Sequence, residues 1–349
     1  MAKKIKVAIV GVGNCAKSFY EGVSFYSDNP QEKIGLMHFK IGGYSVSDIE
    51  VVAAFDIDER KVGKPLHEAI NAEPNHTIKI TDPHPSKVIV KRGPTYDSVT
   101  EEAREYYIHE SNLKPVDVAK ELKESGAEVV INYLPTGSDQ AASVYAEAAL
   151  EAGCSFINCM PAHLARDPKW QKRFIKKGLV LIGDDIKSQL GATIVNRVCL
   201  ELLKSRGFLI THSDQTNIGG NADFLNLHLR PHSKEESKKA SLNSILSKDD
   251  AVPVARLVYA KKNFDHKRTS IYITGEMFGG ISASVHALID DEDSPNSAGI
   301  VVDAVRAARV LKETGKIEHT PEISAYLMKA PSVQLPEADA YEKFQKILK

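Results

Sequence analysis

Two neighbouring carboxylates, an amine and a hydroxyl stand together in Gly183-Asp184-Asp185-Ile186-Lys187-Ser188. The apolar run Leu179-Val180-Leu181-Ile182 before them suits a short buried strand, and Ala192-Thr193-Ile194-Val195 after them opens a helix-like pattern. These groups therefore fall at a strand's carboxyl end, where α/β sheets bind ligands. Asp184 and Asp185 also suit capping positions beside a helix dipole, and a capping acid can orient Lys187.

A second chemical stretch is Gly11-Val12-Gly13-Asn14-Cys15-Ala16, directly after the apolar Val7-Ala8-Ile9-Val10. It matches the GxGxxA pattern, in which glycines permit a tight turn and close backbone approach while a helix amino terminus faces a pyrophosphate. Gly11, Gly13, Asn14 and Cys15 are the cofactor candidates here. The pattern also wants an acid at the end of the second strand, about twenty residues on. Val51-Val52-Ala53-Ala54-Phe55 delivers Asp56 much later, after turn signals at Asp28-Asn29-Pro30 and Gly42-Gly43-Tyr44 that mark an inserted loop. Asp56 fits a ribose-diol acceptor favouring NAD over NADP, and as a sequence it also fits a plain turn aspartate. Glu128 to Leu134 reads as another buried strand, so Leu134, Pro135 and Thr136 fall on a turn that lines the same crevice.

The elements that position these groups alternate. Strand-like runs at Val7–Val10, Val51–Phe55, Glu128–Leu134, Cys154–Asn158 and Leu179–Ile182 are separated by helical patterns, which predicts a doubly wound parallel sheet. Residues 71–94 are polar and proline-punctuated, with β-like runs at Thr77–Ile80 and Val88–Val90, and read as an excursion from the sheet. After about Arg206 the pattern changes: alternating runs at Ala255–Tyr259, Ser270–Thr274 and Ile281–Ile289 suit a sheet exposed on one face. Ser294-Pro295-Asn296-Ser297-Ala298-Gly299 reads as a cap-and-turn cluster before a long helix ending at Gly315. The expected fold is thus α/β, a Rossmann sheet over residues 1–200 with an inserted α+β domain over 201–293 and a carboxyl-terminal return over 294–349.

Composition narrows the class. A chain of 349 residues suits more than one domain, and 45 basic against 46 acidic residues leave a formal charge of −1, no field for nucleic acid or an anionic membrane. No apolar run reaches the roughly 18 residues of a membrane span, and the basic-then-apolar start is broken by glycines too soon for a signal peptide. Four cysteines without a CxxC pair, and no HExxH among the 12 histidines, predict a reducing, cytoplasmic setting and no protein-built zinc site.

Taken together, the glycine loop, Gly183 to Ser188, Gly219-Gly220-Asn221-Ala222-Asp223-Phe224-Leu225-Asn226, Asp293 to Gly299 and Tyr326-Leu327-Met328-Lys329-Ala330-Pro331 resemble myo-inositol-1-phosphate synthase in its short prokaryotic form. The resemblance covers nearly the whole chain. It implies an NAD-dependent, redox-neutral cyclisation of D-glucose 6-phosphate to 1D-myo-inositol 3-phosphate: oxidation at C5, enolisation at C6, intramolecular aldol closure and re-reduction. It further implies a homotetramer and assistance by a divalent or monovalent cation, for which no ligands are assigned. By motif, the family's lysines fall on Lys238, Lys267 and Lys329, with Arg268 as an alternative to Lys267, and its pocket residues on Asn217, Asn221 and Asp223. Asp184, Asp185, Lys187 and Ser188 fall at the nicotinamide. One departure stands out: where the family carries a further lysine, this chain has Leu242, and Lys234 is the nearest replacement along a helix. An ordinary NAD-dependent sugar dehydrogenase would share the fingerprint but release NADH, and a binding protein without turnover would fit the loss of that lysine.

Overall fold

The structure, a computed structural model, describes residues 4–97, 99, 101, 104, 108–229, 242 and 245–349. Ile5–Val10 (β1) lies inside a six-stranded sheet because its side chains are almost all apolar and buried, without the alternation of a one-sided strand. Asn14–Asp28 (α1), Ile49–Asp56 (β2), Leu66–Ala69 (α2), Lys91–Arg92 (β3) and Val118–Ser125 (α3) follow. Then come Val129–Asn132 (β4), Asp139–Ala152 (α4), Ser155–Asn158 (β5), Pro168–Lys176 (α5) and Leu181–Ile182 (β6). Every neighbouring pair is parallel, in the order β3-β2-β1-β4-β5-β6. The expected doubly wound sheet is present. Its order reverses between β1 and β4, which opens a crevice at their carboxyl ends.

Ala192–Ser205 (α6) leads into a second sheet built from Leu209–Gly219 (β7), Val254–Tyr259 (β8), His266–Glu276 (β9) and Ser282–Glu292 (β10), ordered β10-β9-β7-β8, with Ala222–Leu229 (α7) after β7. Side chains on β9 alternate between buried and more exposed positions. Ile271, Ile273 and Ile289 turn inward onto Leu200 and Leu203 of α6, whereas Leu288 is 84% exposed on β10. Asp293–Thr314 (α8), Thr320–Leu327 (α9) and Glu337–Leu348 (α10) return to the first sheet, where Val301, Val305 and Ala308 share a core with Ile5, Val7 and Ile9.

Two expectations change. Residues 77–80 form no strand; the excursion lies instead along α1, where Ile80 N donates to buried Glu21 (2.7 Å) and the Tyr20 hydroxyl donates to His84 O (3.0 Å). The cluster from Ser294 to Gly299 starts a helix as expected, but it is itself helical from Asp293 on, as the opening of α8, rather than a cap and turn. Pro295 is tolerated there because the first turn of a helix offers no intrahelical acceptor for a backbone N–H, so the donor that proline lacks is not missed.

Candidate active site

The crevice above β1 and β4 is floored by the glycine loop. Gly11 has φ +87°, and a Cβ there would lie 2.8 Å from Tyr133 O, so only glycine lets the two strand ends approach. Gly13 caps α1 without a side-chain hydrogen bond, leaving the helix's first amides to an anion. Asp56, the last residue of β2, accepts from Val12 N at 2.7 Å and lines the crevice. Leu134, Pro135 and Thr136 line it from the β4 turn, and the Thr136 hydroxyl donates to Asp223 at 2.9 Å. Asn14 and Cys15 line it as well.

A smaller pocket adjoins it. The amino terminus of α6 (Gly191 to Ile194) forms one wall, and Asn217 of β7 and Lys267 of β9 form another. Ser188, Asp293 and Lys329 line both cavities, so the two meet at these three residues.

Lys329 reaches the junction because its segment pairs with the 183–188 stretch. Asp184 N donates to Ala330 O (3.1 Å), Ala330 N to Asp184 O (3.0 Å) and Lys187 N to Leu327 O (3.0 Å), and Lys329 Nζ then sits 3.0 Å from Asp185 Oδ1. Asp185 itself has φ +62°, a left-handed conformation rare outside glycine. Lys267 is buried against Asp293 and Asp291, the latter at 3.3 Å. Burial alone would lower its pKa, but the two carboxylates outweigh it and hold the ammonium above its ordinary range. Arg268 points elsewhere, pairing with Asp290 at 2.9 Å with a largely exposed side chain, so the geometry favours Lys267. Asn217 donates to Arg256 O (3.1 Å), and Asn221 donates to Asp265 (2.9 Å) while accepting from Phe224 N (3.1 Å) to cap α7. Lys234 and Lys238 lie outside the described residues.

Residues 191–294 match the family model for myo-inositol-1-phosphate synthase. The inositol-3-phosphate synthase of Mycolicibacterium smegmatis is 44% identical over 96% of this chain and 95% of its own. The chain belongs to the inositol-3-phosphate synthase family. That family is one of enzymes, and the inositol-3-phosphate synthase of Corynebacterium glutamicum is similar at 42% over 98% of this chain and 97% of its own. A solved myo-inositol-1-phosphate synthase-related protein from Thermotoga maritima shares the fold, with a TM-score of 0.81 at 24% identity over 98% of each chain.

Within this family fold, two expected cofactor residues face the wrong way. Asp184 is fully buried and accepts from Asn158 Nδ2 (2.7 Å) and Ala165 N (2.9 Å), so it pins the 161–166 loop rather than reaching a ligand. Burial raises its pKa even against those donors. Lys187 is 2% exposed, and its ammonium donates to Ala325 O and Glu337, both at 2.9 Å, beneath the site rather than at the nicotinamide. Of that stretch, Asp185, Ile186 and Ser188 line the crevice, so its polar contribution is Asp185 and Ser188.

Two carboxylates were not singled out from the sequence. Asp293 pairs with Lys267 at the junction. Asp265, 1% exposed, accepts from Asn221 (2.9 Å), Ser294 Oγ (3.0 Å) and Asn14 (3.3 Å), tying the glycine loop to α8. The Asp293-Ser294-Pro295 motif was a signal for the first; nothing local marks the second.

Cys15 gives a chemical check. Burial, with Asp265 and Asp293 nearby, pushes its thiol up to about 12. At pH 8 it is therefore a thiol, and peptide mapping after iodoacetamide is expected to find it unmodified in the native protein. Leu242 gives a structural one: it is 2% exposed among Leu200, Leu203, Ile210 and Ile271. Leu242→Lys is expected to lose roughly 2–4 kcal/mol in urea unfolding, without a gain in turnover, because it buries an unpaired charge.

Proposed function

We propose that the chain is an NAD-dependent inositol-3-phosphate synthase that cyclises D-glucose 6-phosphate. The observation that carries this reading is the junction: Ser188, Asp293 and Lys329 serve both the dinucleotide-shaped crevice and the smaller polar pocket, as a reaction that oxidises and re-reduces one bound sugar requires. The crevice fits NAD. Gly11 leaves the space a Cβ would fill, the uncapped start of α1 suits the pyrophosphate, and Asp56 suits the adenosine ribose. NAD, when bound, supplies the reversible oxidation at C5.

The chain's own groups do the rest. The sugar phosphate sits at the amino terminus of α6, whose Gly191 cap uses no side chain, with Lys267 as a cation among the described residues; Lys238 is a further candidate by its motif alone. Lys329 takes the proton from the C5 oxygen and returns it, oriented by Asp185. With C5 oxidised, the C6 proton passes to an oxygen of the substrate's own phosphate and ends on the C1 oxygen after ring closure, while Lys267, kept charged by Asp293 and Asp291, stabilises the enolate oxyanion on C5. Asn217, Asn221 and Asp223 hold the sugar and the nicotinamide side of the pocket, and holding C6 against C1 lowers the barrier to closure.

Residues 201–293 form the catalytic and oligomerisation part between the nucleotide part and its carboxyl-terminal return. The exposed face of the second sheet, with Leu288 and Val258, is the surface a homotetramer would cover, and light scattering tests it. No helix among the described residues is long and apolar enough to cross a membrane, which accords with a cytoplasmic enzyme. We assign no cation ligands; among the described residues no group of three His, Cys, Asp or Glu is placed to hold a metal ion.

Incubation with glucose 6-phosphate and catalytic NAD should give inositol phosphate by phosphorus and carbon NMR. Accumulation of NADH with an oxidised sugar instead, or no inositol phosphate under varied cations, sinks the reading.

A further inference from the structure

The ribose end of the crevice holds a second charge. Lys61 lines the crevice beside Asp56, 14% exposed at its side chain, with Nζ 3.4 Å from Asp56 Oδ2. The carboxylate is already heavily engaged: Oδ2 accepts from Val12 N (2.7 Å), and Oδ1 accepts from Ile57 N (2.8 Å) and Asp58 N (2.9 Å). The next acid, Asp58, is neutralised by Arg60, whose Nε donates to it at 2.8 Å. Lys61 is therefore a cation balanced at close range by Asp56, on the oxygen that also accepts from Val12 N.

In a Rossmann crevice the acid at the end of the second strand takes the ribose 2′-hydroxyl, and a nearby cation takes a 2′-phosphate when one is present. This chain carries both, one masking the other. We propose that Asp56 and Lys61 form a masked 2′-phosphate site, so that the charge of Asp56 is what selects NAD, and its neutralisation frees Lys61 to bind the 2′-phosphate of NADP. The proposal rests on the reading of the crevice as a nicotinamide-dinucleotide site.

The mechanism is electrostatic and local. A 2′-phosphate brings about two negative charges next to Asp56, which repels them even with Lys61 in place. Asp56→Asn keeps the shape, sets one amide oxygen against the three N–H groups that the carboxylate served, removes one negative charge, and leaves the ammonium to the field of Asp58, which Arg60 already pairs. One charge-assisted hydrogen bond is worth about ten- to a hundredfold in affinity, and that is the expected gain for NADP.

Isothermal titration of the full chain with NAD and with NADP, independent of turnover, tests this. The wild type should prefer NAD; Asp56→Asn should bind NADP at least about tenfold more tightly than the wild type does; and Asp56→Asn with Lys61→Met should lose that gain. A variant Asp56→Asn that binds NAD but no more NADP than the wild type overturns the proposal, as does a gain that survives Lys61→Met. Should Asp56→Asn fail to fold, Lys61→Met alone decides: the ratio of NADP to NAD affinity should fall, and an unchanged ratio overturns the proposal. Wild-type protein that binds neither nucleotide overturns the dinucleotide reading itself, and this proposal with it.

Discussion

Lys329→Ala is expected to reduce turnover by about a thousandfold or more, the upper part of the range for losing a positioned general acid–base, while NAD binds within a few-fold of normal. The asymmetry follows from where the two halves of this residue go. Its backbone N–H donates to Asp185 O and belongs to the paired segments under the site, which alanine preserves. Its ammonium alone enters the junction, 3.0 Å from Asp185 Oδ1. The glycine loop, the start of α1 and Asp56 do not depend on it. Single-turnover kinetics with NAD titration separates the effects, and a thermal melt guards against the stability lost when one ion-pair partner of Asp185, which is 2% exposed, is removed. Equal loss of turnover and of NAD affinity would contradict the assignment.

Glu337→Ala is expected to cost about 3–5 kcal/mol of stability, the usual penalty for stripping one partner from buried charges. Glu337 accepts from Lys187 Nζ at 2.9 Å and from Arg197 Nε at 2.7 Å, and those two cations are 2% and 1% exposed. The pH dependence has a definite sign. Burial lowers the pKa of Lys187 below the ordinary 10.5, with Glu337 opposing that shift. Without Glu337 the folded pKa falls further, so between that value and 10.5 the unfolded chain binds more protons and stability rises with pH. The deficit of the variant should narrow as pH climbs from its own folded pKa to the wild type's, both below 10.5, as urea titrations across pH would record. A deficit independent of pH would mean that Lys187 is not the group being stranded.

Much of this was legible in the amino acids, for identifiable reasons. Strands buried on both faces announce themselves as continuous apolar runs, and the glycine loop is legible because Gly11 meets a backbone carbonyl that leaves no space for a side chain. Lys329 stood out through its tyrosine–leucine–alanine–proline surroundings. What the sequence hid is direction. Asp184 and Asp185 are neighbours, yet one locks a loop and the other faces the crevice, because Asp185 is held at positive φ in an irregular segment where no period applies. Lys187 looked like a ligand for want of a visible partner, since Glu337 lies 150 residues away. Asp265 escaped notice for the same reason: its partners Asn14 and Asn221 lie 251 and 44 residues off. In the polar run at 71–94 only Thr77–Ile80 misled, because Ile80 is tied to α1 through the Glu21 side chain rather than by a strand ladder, whereas residues 88–90 do pair with residues 63–66.

The pairing of residues 184–187 with 327–330 also bears on how the protein is made. The two side chains that meet at the junction, Asp185 and Lys329, are 144 residues apart in the chain, and contacts of such separation form late. On the ribosome, where earlier segments fold first, β1 to β6 emerge before Lys329 is synthesised. A nascent chain can therefore shape its dinucleotide crevice while it still lacks the amine that would act there. Residues 327–337 close beneath the site only once they leave the exit tunnel, so on the proposed reading a truncated product of stalled translation would lack the amine assigned to the reaction.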